Sequence, residues 1–110
     1  MNELLALEDA AEALKDNGKY DEAIAEYKKI LEQDDNFVRA HLALAILYEK
    51  VQDAAKSVYH GERACEVEPG DYLNFIALSL TYQKAFEATR DEMYIHKAEE
   101  AKAKAHMLQQ

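Results

Sequence analysis

The chain has no tryptophan, one cysteine, one proline and three glycines among its 110 residues. With Cys65 alone, no intrachain disulfide can form, and its setting, Ala64-Cys65-Glu66-Val67, suits a small buried hydrophobe. Scarce glycine and proline, together with sparse valine, isoleucine and threonine, make this a composition for helices. No apolar run approaches the roughly 18 residues of a membrane span. The first residues lack the basic and apolar segments of a secretion signal, so the expected location is the reducing cytoplasm. A glycine-rich phosphate loop is also missing.

Positive charge is the other shortage. Thirteen Lys and Arg stand against twenty-two Asp and Glu, a formal charge of −9. Residues 1–37 carry eleven acids and four bases, residues 38–71 six and four, and residues 72–110 five of each. A chain without a basic patch repels phosphate backbones and anionic lipid, so neither nucleic acid nor a membrane is the expected partner. The acidic first third solubilises the chain and can attract a basic partner.

What the sequence has is helical periodicity. Leu4, Leu7, Ala10, Ala11 and Leu14 recur at spacings of three and four, as do Tyr20, Ala23, Ile24, Tyr27, Ile30 and Leu31, each set forming one buried helix face. The pattern predicts six helices, over about 3–16, 20–33, 37–50, 54–67, 71–87 and 90–108. Between them lie the breaks Asp16-Asn17-Gly18, Asp34-Asp35-Asn36, Asp53 and Glu68-Pro69-Gly70-Asp71, with Gly18 suited to a left-handed closing residue. The segment Asp34-Asp35-Asn36 is expected to cap the third helix, Asp53 the fourth, and Thr89 with Glu92 to form a capping box for the sixth. Gly61 inside the fourth helix implies a close helix approach. Connections of about three residues imply three antiparallel helix hairpins in a single all-α domain.

The hairpins share an offset of 34 residues. Leu7 maps to His41 and Phe75, Ala10 to Leu44 and Leu78, Ala11 to Ala45 and Ser79, Leu14 to Tyr48 and Tyr82, and Ala23 to Ser57. Small residues at paired positions let the helices of a hairpin approach, and Tyr48 and Tyr82 fill the gaps between hairpins. This register resembles the tetratricopeptide repeat (TPR), a 34-residue helix–turn–helix unit. The resemblance implies an α–α superhelix of three repeats, about 4–37, 38–71 and 72–108, within one domain spanning 1–110. Against the family pattern, His41 replaces a bulky apolar residue, Gly61 an aromatic and Asp35 a proline. In the third unit seven extra residues separate Ala98 from the place matching Ala23, so the last hairpin is expected to be about one turn longer in each helix.

The resemblance also implies a function: the first helix of each hairpin lines a concave groove that binds a peptide or helical segment of a partner, without catalysis. Carried over by register, that groove holds Leu5, Glu8, Glu12 and Lys15, then Arg39, Leu42, Ile46 and Glu49, then Leu73, Ile76, Leu80 and Gln83. An apolar strip rimmed by Glu8, Glu12, Arg39 and Glu49 suits a partner with apolar anchors and basic character. The alternative is self-association of two copies through the same strip. One subset of the family clamps the carboxylate of chaperone tails with Lys, Asn and Arg; the matching places here are Glu8, Glu12, Ala43, Leu73 and Ala77, which cannot donate to a carboxylate, so no binding of that kind is expected. His41, His60, His96 and His106 show no metal-pair spacing within a helix, and no cofactor, metal or catalytic residue is expected.

Overall fold

The computed structural model describes residues 2–110. Among these the chain forms six α-helices and no strands: α1 (Asn2–Asp16), α2 (Tyr20–Gln33), α3 (Val38–Lys50), α4 (Ala54–Val67), α5 (Tyr72–Thr89) and α6 (Met93–Gln109). Each agrees with the helix expected from periodicity to within three residues at either end. Consecutive helices pack as antiparallel hairpins, α1 with α2, α3 with α4 and α5 with α6. The hairpins then stack through α2 on α3 and α4 on α5, while α3 also touches α5 directly.

The first two hairpin turns use one device. At the end of α1 the Gly18 N–H donates to Lys15 and the Lys19 N–H to Leu14, with Gly18 at φ +76°. At the end of α3 the Gln52 N–H donates to Glu49 and the Asp53 N–H to Tyr48, with Gln52 at φ 65°. These are paired closing bonds that satisfy the last free carbonyls of a helix through one left-handed residue. Gln52 stands 34 positions after Gly18, so the conformation is kept although a side chain now sits where glycine is favoured.

Capping follows the sequence only in part. Asp53 accepts the Lys56 N–H, as expected. The segment Asp34-Asp35-Asn36 does not cap α3: Asp34 folds back to accept the Asn36 N–H, and the residue before the helix is Phe37, which has no capping side chain. The expected Thr89–Glu92 box is replaced too. Thr89 donates to the Ala85 carbonyl and accepts the Asp91 N–H, while Asp91 accepts the Met93 N–H and α6 starts three residues later than expected. Asp91 wins because an aspartate bonds the backbone two residues on without needing a helical turn to reach it.

Two core clusters run through the stack. One joins Ala11, Ala23, Tyr27, Ile30, Leu44, Leu47 and Tyr48; the other joins Val58, Cys65, Leu78, Tyr82, Ala85, Ala98 and Ala101. The paired small positions are closed contacts. Ala11 and Ala23 are fully buried, and the Ser57 hydroxyl donates 2.6 Å to the Ala45 carbonyl across the second hairpin. At Gly61 a methyl would stand 3.2 Å from Leu78 Cδ1, which accounts for a glycine in mid-helix. The last hairpin is lengthened: α5 has 18 residues against 13 in α3, and α6 has 17 against 14 in α4.

Candidate functional site

Helices α3 and α5 pack directly, the Glu8–Arg39 contact ties α1 to the same side of the stack, and the structure shows what each register position presents there. On α3 and α5, Ile46 is 53% exposed, Leu73 58%, Leu80 56% and Ile76 39%. On α1, Leu5 and Glu12 are exposed and Glu8 is half-buried. Leu42, Glu49 and Gln83 are also half-buried. Nearly half the expected strip is therefore apolar side chain open to solvent, which a chain of this size does not need for folding.

Charge on this side is arranged differently from a simple acidic rim. Arg39 reaches from α3 to α1 and grips Glu8 with both guanidinium arms, Nε to Oε2 at 2.8 Å and Nη2 to Oε1 at 2.9 Å. The hydrogen bonds from Arg39 hold the Glu8 carboxyl below the usual carboxylate range, against a smaller opposing effect of burial. The same guanidinium lies 4.8 Å over the Phe37 ring. Glu8 and Arg39 thus neutralise one another, and Glu12 keeps an exposed carboxylate with no ion pair among the described residues. Behind them Tyr27, on α2, has its phenol pushed up to about 12, first by burial and then by the negative charges of Glu12, Glu8 and Asp16.

At the far end the extended α6 adds a wall. A notch of about 200 Å³ opens between α5 and α6, with Ile76 and Leu80 on one side and Lys102, Ala105 and His106 on the other. Between the second and third hairpins, the Tyr82 hydroxyl donates to Glu62, and Lys97 stands 3.8 Å from the same carboxylate. Lys97 is therefore drawn to the junction with α4.

The structure also joins residues that the sequence left scattered. His41 and His60 meet in the core, Nδ1 to Nδ1 at 3.0 Å, and His41 Nε2 lies 2.8 Å from the Asp35 carbonyl. Tyr48 stacks on His60 at 5.6 Å, and Tyr59 meets its face edge-on at 4.9 Å. His41 is 1% exposed and His60 9%. Because a carbonyl only accepts, His41 carries its proton on Nε2 and offers Nδ1 as a lone pair, so His60 donates from Nδ1. The available signal was His41 itself, a polar residue at a core register position, which has to find a buried partner. That partner lies nineteen residues away on another helix, beyond the reach of periodicity. Among the described residues no group of three or more His, Cys, Asp and Glu is placed to hold a metal. No helix among them is long and apolar enough to cross a membrane.

Antiparallel hairpins stacked at a constant offset, each touching only its neighbours, define a helical-repeat solenoid. A family model described as TPR repeat matches residues 11–52. The second TPR of Spaghetti (RPAP3), solved bound to the HSP90 peptide SRMEEVD, superposes with a TM-score of 0.76 at 15% identity, covering 96% of this chain and 91% of that one. The first TPR of the same protein, bound to the same peptide, gives 0.65 at 17% identity, covering 97% and 94%. A search of curated proteins gave no match. The fold is that of the TPR solenoid, with three stacked hairpins.

Proposed function

We propose that the chain is a non-catalytic interaction module that holds a peptide or helical segment of a partner protein on the side formed by α1, α3 and α5. The observation that carries this reading is the apolar set Ile46 on α3 and Leu73 and Leu80 on α5, each more than half exposed on two helices that pack directly. Solved TPR neighbours that hold a peptide support it. The peptide in those neighbours ends in Glu-Glu-Val-Asp; the side chains of Glu8, Glu12, Ala43, Leu73 and Ala77 offer no donor for its terminal carboxylate, so the partner here is of another chemistry. Apolar anchors burying Ile46 and Leu73 supply most of the affinity.

The test is a pull-down from the source cells with the wild-type chain beside the double variant Ile46→Lys and Leu73→Lys. Both side chains are already largely in water, so helicity and melting should change little while partner capture is lost. Equal capture by both proteins refutes the reading. Light scattering up to high micromolar concentration separates this from self-association: a dimer broken by the same two changes would assign the strip to a second copy.

A further inference from the structure

We propose that the groove takes a segment with ordered chemistry: a Lys or Arg over Glu12 of α1, then one large apolar side chain on Ile46 of α3 and another on Leu80 of α5. This rests on the groove reading above and adds to it the direction and spacing of the occupant.

Glu12, Ile46 and Leu80 are related by the 34-residue offset, so they occupy the same level of three helices set side by side. The Glu8–Arg39 contact, at the neighbouring level, shows that α1 and α3 face a common surface. Direct packing of α3 on α5 continues that surface to Leu80. A segment crossing the groove at this level therefore meets carboxylate, isoleucine and leucine in that order.

Charge complementarity selects the first contact. Arg39 has already neutralised Glu8, whereas Glu12 is exposed and without an ion pair among the described residues. Its carboxylate adds to the field, shared with Glu8 and Asp16, that holds the Tyr27 proton in place. Residues 1–37 carry a net charge of −7, eleven acids against four bases, so an approaching cation is steered to this end. Lys15, one turn further along α1 near the hairpin turn, keeps the favourable position confined to the level of Glu12. At the other end Leu80 borders the notch shared with Ala105, where an apolar side chain gains a second wall.

Packed helices lie roughly 8–10 Å apart. Successive contacts are thus spaced by about two to three residues of an extended segment or about five to seven of a helical one. The occupant reads basic, apolar, apolar, at one of those two intervals.

The experiment is selection of random sixteen-residue peptides displayed on phage against the intact chain, followed by fluorescence anisotropy with the synthesised winners. Winners should show the basic–apolar–apolar order at one of the two intervals. Glu12→Lys should weaken them at least tenfold, and exchanging the winner's basic residue for Glu should restore binding to Glu12→Lys. Ile46→Ser and Leu80→Ser should each weaken binding, with circular dichroism unchanged. Winners that depend on Ile46 and Leu80 but are indifferent to Glu12→Lys overturn the ordered occupant and leave the groove standing. Winners indifferent to all three changes, or no enrichment at all, overturn both.

Discussion

Protonation of buried His60 should make this fold acid-sensitive well above the pH at which its carboxylates are all neutralised. His60 is depressed to about 4 from an ordinary 6.5, first by burial, then by His41, Lys28 and Arg63, with Asp35 opposing. The geometry gives the reason. A proton on His60 Nε2 would create an imidazolium packed between Tyr48 and Tyr59 and beside His41, 3.0 Å away. The unfolded chain has no such obstacle and protonates near pH 6.5. Between that value and about 4 the unfolded state binds more protons, so stability rises with pH across the window, is fully present above 6.5 and is lost as pH falls toward 4. At about 1.4 kcal/mol per pH unit, roughly 2 kcal/mol should be gone at pH 5 and about 3 at most. That is a large share of a domain stability of about 5–15 kcal/mol. Urea unfolding followed by circular dichroism at pH 7.5, 6 and 5 measures the loss. His60→Phe keeps an aromatic ring beside Tyr48 and removes the titration. It should be less stable at pH 7.5, where His41 Nδ1 is left without its donor, yet fall by about 2 kcal/mol less between pH 7.5 and 5. Parallel pH profiles for the two proteins would show that His60 is not the site of proton uptake. Nitrogen-detected NMR adds a direct check, with the proton on Nδ1 of His60 and on Nε2 of His41.

Other positions give independent tests. Gln52→Gly should raise stability by up to about 1 kcal/mol in urea unfolding, because Gln52 holds a left-handed φ of 65° that the equivalent Gly18 adopts without strain. Gly61→Leu should destabilise by about 1–3 kcal/mol, since Leu78 already stands where its Cβ would press. Asp91→Ala should cost about 1 kcal/mol of thermal stability through the lost bond to the Met93 N–H, whereas Glu92→Ala should be neutral; the reverse ranking would restore the capping box. The Cys65 thiol, 6% exposed and pushed up to about 11 by burial and then by Glu62, Glu66 and Asp71, should resist a disulfide-exchange reagent at pH 8 in the native chain and react at once in urea.

The parts of this molecule that could be read from sequence are those set by spacing. A 34-residue offset places Ala11, Ala45 and Ser79 at one level, and small residues there permit close approach whatever else surrounds them. Helix ends were legible where a single residue decides the turn, as Gly18 and Asp53 do. They were misread where two candidates competed over three residues, as Thr89 and Asp91 did, because the winner depends on the path of the chain into α6. The exposed positions on α1, α3 and α5 follow from the same register, but their charge does not. Glu8 and Glu12 are equivalent in sequence, acids one turn apart on one face, and only the reach of Arg39 from the next hairpin separates them. That separation has a consequence for recognition. A bidentate Arg–carboxylate pair fixes both side chains and leaves little field outside itself, so the second hairpin acts on the first by removing one carboxylate from the surface. A cation approaching the proposed groove would then meet a single carboxylate unpaired among the described residues, Glu12, rather than a diffuse acidic rim. Arg39→Ala should therefore free Glu8, raise the affinity for any basic ligand several-fold at low salt, and blur its register along α1.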